Sequence, residues 1–520
     1  MSLELDIPPL GLDERALQAR FDALQARLIP LWRTIEDLED RGEQTVVVIP
    51  SLTVDYAALR GSVLQAYEER FLFLLLLLRQ PRARLVYVTS QVIQPEIVDY
   101  YLHLLPGVVA SHARARLHLL SPQDGAPQPL SIKCLQRPRF LEQIRRCIKD
   151  TERAHLVPFN TTEHERALAL RLGIPMFAAD PRLLPLGTKT GCRRLFRDQG
   201  MLLPEGFEGL HHVDEVVEAL RVLKGRRPEL RQAMVKHDEG VSGAGNAVVD
   251  LEGVDTASRD AVLARVMSMR LEAKDLSIDD YLAKLEAQGG IVEERVLGRR
   301  IVSPSVQLRI TPLGRVEILS THDQLLGGSE GQQYTGCRFP ADTAYASLIA
   351  REARKVGDRL VREGVLGRFA IDFVCAERDD GFHPYAIELN LRKGGTTHPY
   401  LTLQFLTNGH YDADTARFQT AGGRAKAYVA TDDLAQPSYR ALTVHDLFDI
   451  VARHCLHFDQ TRQTGVVLHM MSAVGDHGRL GLTAIADTLA EAQSLYDRTC
   501  AILDAEAHEA LTSTPLAPQS

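Results

Sequence analysis

Asp372, Glu388 and Asn390 stand out in this chain because their types and spacing demand a partner. Two apolar runs, 369–375 and 385–390, flank a polar stretch containing Asp379, Asp380 and Gly381, which predicts a β-hairpin. Alternation places Phe369, Ile371, Phe373 and Cys375 on one face, and Ala370, Asp372 and Val374 on the other. In the second strand Tyr385, Ile387 and Leu389 share a face, with Ala386, Glu388 and Asn390 on the opposite one. A hairpin centred on Asp380 sets Asp372 directly across from Glu388, each eight residues from that centre. Like charges in opposed positions are destabilising. Two carboxylates and an amide oxygen between apolar neighbours therefore call for a cation. The set is all oxygen, with neither thiol nor imidazole, which favours Mg²⁺ or Mn²⁺ over zinc.

Upstream lie the residues that could grip an anion. The strand 232–236 ends in Lys236 and runs into HDEGVSGAGNAVVDL, where Gly240, Gly243 and Gly245 surround Ser242, Ala244 and Asn246. A strand, a glycine-rich turn and a second apolar run form a hairpin whose amides can close over phosphates, with Lys236 reaching the same anion as a point charge. Lys189 is expected in a short turn before the basic helix GCRRLFRDQG. A long helical stretch over 255–288 leads to IVEERVL at 291–297. A strand carrying Arg309 follows over 302–310, with 315–320 as its hairpin partner. Residues 321–340 are polar and glycine-rich and read as a loop that covers or lines a pocket, and a helix over 341–364 precedes the acidic hairpin.

These elements need a scaffold, and 520 residues hold two to four domains. Before residue 160, β-branched and apolar runs alternate four times with helical patterns, the signature of a parallel α/β layer. No G-x-G-x-x-G follows these strands, so this is not a dinucleotide site. The apolar run 71–78, bounded by arginines, is too short to span a bilayer and is expected as a buried helix. A formal net charge of −8 gives no footprint for nucleic acid or an anionic membrane. Seven scattered cysteines without a C-x-x-C pair argue against a disulfide framework or a zinc site, and fit a cytoplasmic protein. The residues after 420 read as a small α+β unit.

In this order, the α/β layer, lysine turn, strand lysine with glycine loop, glutamate-bearing strand and E-x-N hairpin resemble the ATP-grasp superfamily. The motif Glu388-Leu389-Asn390-Leu391-Arg392, followed by Gly394 and Gly395, resembles that of its carboxylate–amine ligases. More narrowly, VVVIPSLTVD, YEERFLFLLLLLRQPRARLVYVTS, IVDYYLHLLPG and GVVLHMMSAVGDHGRLGLTAIADTLAEAQSLYDR resemble the peptide ligases of the pheganomycin type. The resemblance implies an N-terminal pre-ATP-grasp domain (1–182), an ATP-grasp domain of two α+β subdomains (183–420, lid-like part about 204–297) and a C-terminal α+β domain (421–520). It implies ATP with Mg²⁺ or Mn²⁺, a small-molecule or peptide carboxylate and an amine acceptor. Lys189 and Lys236 then hold ATP phosphates, Ser242 to Asn246 close over them, and Glu293, Glu294 and Val296 bind adenine. Asp372, Glu388 and Asn390 hold the metal, and Arg392 meets the transferring phosphate or acyl group. Two positions depart from the family pattern: Arg300 stands where many members carry a ribose-binding acid, and Ala370 where many carry arginine. Arg309 is the expected replacement for the second. The implied reaction is amide formation through an acyl phosphate, releasing ADP and phosphate. A nucleotide-binding regulatory protein with a degenerate site, or a phosphotransferase, is the alternative. Pairing as a homodimer stays open.

Overall fold

The structure is a computed structural model of the chain and describes residues 11, 13–37, 39–53, 62–240, 243, 245–274, 276–328 and 331–512. Among these residues the first four strands, Gln44–Ile49, Ala83–Val88, Leu117–Leu120 and Ala154–Pro158, form one parallel sheet. Gln44–Ile49 lies at its centre between Ala83–Val88 and Ala154–Pro158. Its unbroken apolar run is what a strand covered on both faces requires, and Val47, Val48 and Ile49 are fully buried. The leucine-rich segment is a buried helix as expected, and winds as a ten-residue 3₁₀ helix, Arg70–Arg79. With no polar face it has no amphipathic register to keep, and apolar neighbours enclose it.

A five-stranded antiparallel sheet follows, in the order Gly206–Leu210, Gly290–Glu294, Gln232–His237, Asn246–Asp250, Arg270–Leu271. Its core is packed with Val216, Leu220 and Leu223 of the helix Val213–Arg226, and with Tyr281 and Leu285 of Ile278–Gln288. The expected long helix over 255–288 is two helices, Arg259–Val266 and Ile278–Gln288. Ser258 and Ser277 each begin one by accepting a hydrogen bond from the N–H of Ala261 and Asp280 respectively.

The remaining strands join a nine-stranded sheet, apart from His410–Asp412 and Arg417–Gln419, which pair with each other as a two-stranded ribbon. Gly367–Arg378 pairs with Gly381–Asn390 and with Pro304–Ile310, and Val316–Gly327 and Gln333–Phe339 follow. The segment 321–340 is therefore mostly strand and not a loop. Gln324 reaches Asp372, while Thr321 and His322 bond to Tyr411 and Tyr428, so polar residues fall on both faces and the apolar alternation that marks a strand is missing from the sequence. The sheet does not stop at residue 420. Ala427–Ala435 pairs with Gln333–Phe339, then with Arg479–Ala486, which pairs with Gly465–His469. The expected C-terminal unit thus has no sheet of its own, because unsatisfied edge groups of Gln333–Phe339 are taken up by its first strand. Helix Ala346–Arg362 covers one face of the large sheet with Ile349, Ala353, Val356 and Leu360. Among the described residues no helix is long and apolar enough to cross a membrane.

Candidate active site

The acidic hairpin brings Asp372 opposite Glu388, but not by the expected geometry. The ladder is regular from Arg378 with Gly381 up to Phe373 with Ala386, then shifts by one residue, leaving Ile387 as a bulge. Without the bulge Asp372 would face Ile387, and Glu388 would turn to the core. The bulge also puts Ala386 on the core face beside Phe373, away from Glu388. Asn390 lies across from Ala370, and its Nδ2 donates to Asp372 Oδ2 at 3.0 Å. Gln324, from the strand read as a loop, donates Nε2 to Asp372 Oδ1 at 2.8 Å.

The expected lysine turn is a helix. Thr188 caps Lys189–Asp198, its hydroxyl accepting from the N–H of Gly191. A Cβ at Gly191 would sit 1.8 Å from the Pro185 carbonyl oxygen, so only glycine allows this entry. Lys189 Nζ donates to Glu388 Oε1 at 2.6 Å. Burial raises the Glu388 carboxyl, yet Lys189 outweighs it and holds the group below the ordinary carboxylate range. Burial and the facing Glu388 push Asp372 up to about 6. Two carboxylates thus share one face with a single ammonium bonded to the pair.

The five-stranded sheet supplies a second charged group. Lys236 Nζ donates to Glu293 Oε1 at 2.6 Å, and Arg193 Nη1 donates to Glu293 Oε2 at 2.7 Å. All three are buried. Sequence reasoning missed Arg193, although its spacing of four residues from Lys189 puts both on one face of the same helix. Glu293 is therefore clamped by two cations rather than free. Glu294 accepts from the Glu205 N–H at 3.0 Å and pairs with Arg227 at 2.9 Å. Val296 lies just past the strand end.

Of the glycine turn, Ser242 and Ala244 lie outside the described residues. Gly243 has φ +82° and accepts from the Asn246 N–H, while Gly245 accepts from the His237 N–H. Asn246 Nδ2 donates to Gln332 Oε1 at 2.6 Å, so the turn leans on the large sheet. Helix Lys189–Asp198 is tied to the same place, the N–H groups of Lys189 and Thr190 donating to Asp238. The lysines, the turn and the acid pair thus converge where the two sheets meet.

Arg309 is not brought to the acid pair. Ser305 lies beside Asp372, whereas Arg309 pairs with Arg368 four residues further along, about 13 Å away. Its Nε donates to Glu317 at 2.7 Å and its guanidinium lies over Trp32. Arg300 is half-exposed, 3.5 Å from Asp342. Arg392 stacks near Phe159 and donates to the Lys393 carbonyl.

The donors at the hairpin fit Mg²⁺, which commonly takes one or two carboxylates and completes its shell with phosphate and water oxygens. Among the described residues no group of three or more His, Cys, Asp or Glu is placed to hold a metal ion.

A family model described as IQCH-like, ATP-grasp, matches residues 262–414, and one described as PGM1 C-terminal domain matches 446–499. The fold is similar to solved structures of the same architecture. An ADP complex of purK, N5-carboxyaminoimidazole ribonucleotide synthetase, superposes with a TM-score of 0.51 at 11% identity, covering 89% of this chain and 98% of that one. Biotin carboxylase from Campylobacter jejuni gives 0.52 at 12% identity, covering 87% and 89%. Among sequences, L-propargylglycine–L-glutamate ligase of Streptantibioticus cattleyicolor is 30% identical over 442 residues, 84% of this chain and 88% of the relative. IQ motif-containing protein H of Danio rerio is 23% identical over 428 residues, 72% of this chain but only 40% of that protein. The chain belongs to the ATP-grasp superfamily and, within it, to the peptide ligases of the pheganomycin type, which are carboxylate–amine ligases.

Proposed function

We propose that this chain is an ATP-dependent carboxylate–amine ligase whose nucleotide sits between the five-stranded and nine-stranded sheets. The observation that carries the reading is the convergence of Lys189 with the Asp372–Glu388 pair. Phosphoryl transfer is mainly positioning and charge neutralisation, and these groups supply both. Lys189 and Lys236 hold the β- and γ-phosphates as point charges. The glycine turn at Gly243 and Gly245 presents amides to the same oxygens and keeps water away. Val296, beyond the strand end, meets adenine through its main chain. Glu293 acts by orienting Lys236 rather than by touching the base. Asp372, Glu388 and Asn390 hold Mg²⁺ or Mn²⁺, which supplies neutralisation of phosphate charge.

A carboxylate oxygen of the donor attacks the γ-phosphorus, and the bond to ADP breaks. The acceptor nitrogen then attacks the acyl carbon, loses a proton, and phosphate leaves. Arg392 offers a planar fork to the acyl phosphate, which a lysine could not. Gln324 positions Asp372 and takes no part in bond changes. A carboxylate–amine ligase as a relative over 84% of this chain favours this reading over a regulatory protein with a degenerate site.

The experiment incubates the protein with ATP, Mg²⁺ and pairs of acids and amines, starting with L-propargylglycine and L-glutamate. ADP, phosphate and a coupled product should rise in step and require both partners. AMP with pyrophosphate, or ADP release without coupled product across the panel, would overturn it.

A further inference from the structure

The main chain beside Arg392 is fixed more firmly than its guanidinium. It is docked on the parallel layer, where the Lys393 N–H donates to the Phe159 carbonyl at 3.3 Å and the Lys393 ammonium to the Pro158 carbonyl at 2.5 Å. Among the described residues the Arg392 guanidinium makes one hydrogen bond, back to the Lys393 carbonyl at 3.1 Å, and pairs with no carboxylate. A long side chain tied so lightly samples several rotamers, and gripping an anion costs it that freedom.

Its other contact is with Phe159, the residue that follows the strand Ala154–Pro158. The guanidinium carbon lies over that ring, 6.0 Å from the centroid, within range of a cation–π attraction. Phe159 is only 3% exposed and is itself held from two directions. Phe71 of the leucine-rich helix meets it edge-on at 5.5 Å, and the Arg70 guanidinium lies over it, also at 5.5 Å. The series continues away from the site. Arg70 lies over Tyr67 at 4.8 Å, and Arg479 lies over the same ring at 5.6 Å. Cations and rings thus alternate from Arg392 through Phe159, Arg70 and Tyr67 to Arg479. Two of the three cations are neutralised, Arg70 by Asp432 at 2.5 Å and Arg479 by Asp433 at 3.2 Å. Arg392, at the end two residues from Asn390, keeps its charge available to an anion. A ring orients a guanidinium without cancelling its charge, as a carboxylate in the same place would.

We propose that Phe159 is a positioning residue whose ring holds the Arg392 guanidinium ready for the transferring phosphate, with Phe71 and Arg70 fixing the ring in turn. This rests on the ligase reading and deepens it by naming what aims its arginine. Phe159 touches no substrate; it removes an ordering cost that Arg392 would otherwise meet when the phosphate arrives.

The test titrates inorganic phosphate calorimetrically into protein loaded with MgADP, and so needs no turnover. Phe159→Leu should weaken phosphate binding about threefold to tenfold, the cost of ordering one long side chain, and leave MgADP affinity unchanged. Phe159→Tyr, which keeps the ring, should restore the parent affinity. In Arg392→Met phosphate should bind more weakly, through the lysines alone, and adding Phe159→Leu should change nothing further. Should Phe159→Leu fail to fold, Phe159→Met, of similar bulk but without the ring, decides. In the coupling reaction the leucine variant should lose kcat by the same factor with KM for ATP unchanged. Parent-like phosphate binding in Phe159→Leu, a loss that Phe159→Tyr does not restore, or an additive loss in the double variant overturns the proposal. So does a parent that binds no phosphate. Failure of every acid and amine pair to yield ADP and coupled product would refute the ligase reading, while the phosphate titration would still decide this one.

Discussion

Asp372 and Glu388 are not equivalent, and their surroundings say which one to change. Glu388 is bonded to buried Lys189, so neutralising it would strand an ammonium, and breaking a buried pair costs roughly 3–5 kcal/mol. Asp372 has no cation bonded to it; it accepts from Gln324 and Asn390. Asp372→Asn should lower kcat at least about 100-fold, by analogy with loss of a charge-stabilising group. It should leave the ligand-free protein as stable or about 1 kcal/mol more so, because one of two opposed carboxylates is gone. Urea unfolding and steady-state ADP release check both arms. Glu388→Gln, in contrast, should lose activity and stability together. The lysines and the E-x-N motif were legible in the sequence because each sits in a recognisable local pattern. Arg193 and Gln324 were not, since each takes its role from a contact with a residue distant in the chain.

At the level of elements, the hairpin could be read from alternation, yet Ile387 could not be read as a bulge. Centring the turn on Asp380 instead of between Asp379 and Asp380 compensated for the missing bulge, so the pairing came out right for an incomplete reason. The strands Val316–Gly327 and Gln333–Phe339 were hidden because polar residues such as Thr321, His322 and Gln324 fall on both faces and break the apolar period. The same surface explains a constraint on the glycine turn. At Gly243, φ is +82° and a Cβ would lie 2.7 Å from the Gln332 carbonyl oxygen. Gly243→Ala should cost about 1–2 kcal/mol locally and push the turn off the large sheet. The expected result is a raised KM for ATP with global stability little changed, read from initial rates and thermal melting. An unchanged KM would separate the turn from the nucleotide.

Across the whole molecule, the three charged residues before the leucine-rich segment tie distant parts together. Glu68 accepts from the N–H and hydroxyl of Ser90 in the parallel layer. Glu69 accepts from the N–H groups of Met471 and Ser472, and Arg70 pairs with Asp432 at 2.5 Å. The tethers join the N-terminal layer to the last strands of the large sheet, which sequence periodicity alone separates into distinct units. Burial pushes Glu69 up to about 7, above its ordinary value of 4.5. Its folded form therefore keeps a proton between those two pH values while the unfolded chain has lost it, so its contribution to stability declines as pH rises from 4.5 to about 7 and is flat above. Glu69→Gln keeps an acceptor oxygen without the charge. It should match the parent near pH 4.5 and exceed it by roughly 3 kcal/mol at pH 8. Denaturant midpoints at the two pH values measure the difference.

The central claim is that these sheets join a carboxylate to an amine through an acyl phosphate. The most direct measurement uses a donor acid with ¹⁸O in its carboxylate, with ATP, Mg²⁺ and the amine. The account predicts one labelled oxygen in the inorganic phosphate released, with ADP as the other product. Label found in AMP, with pyrophosphate released, would contradict it.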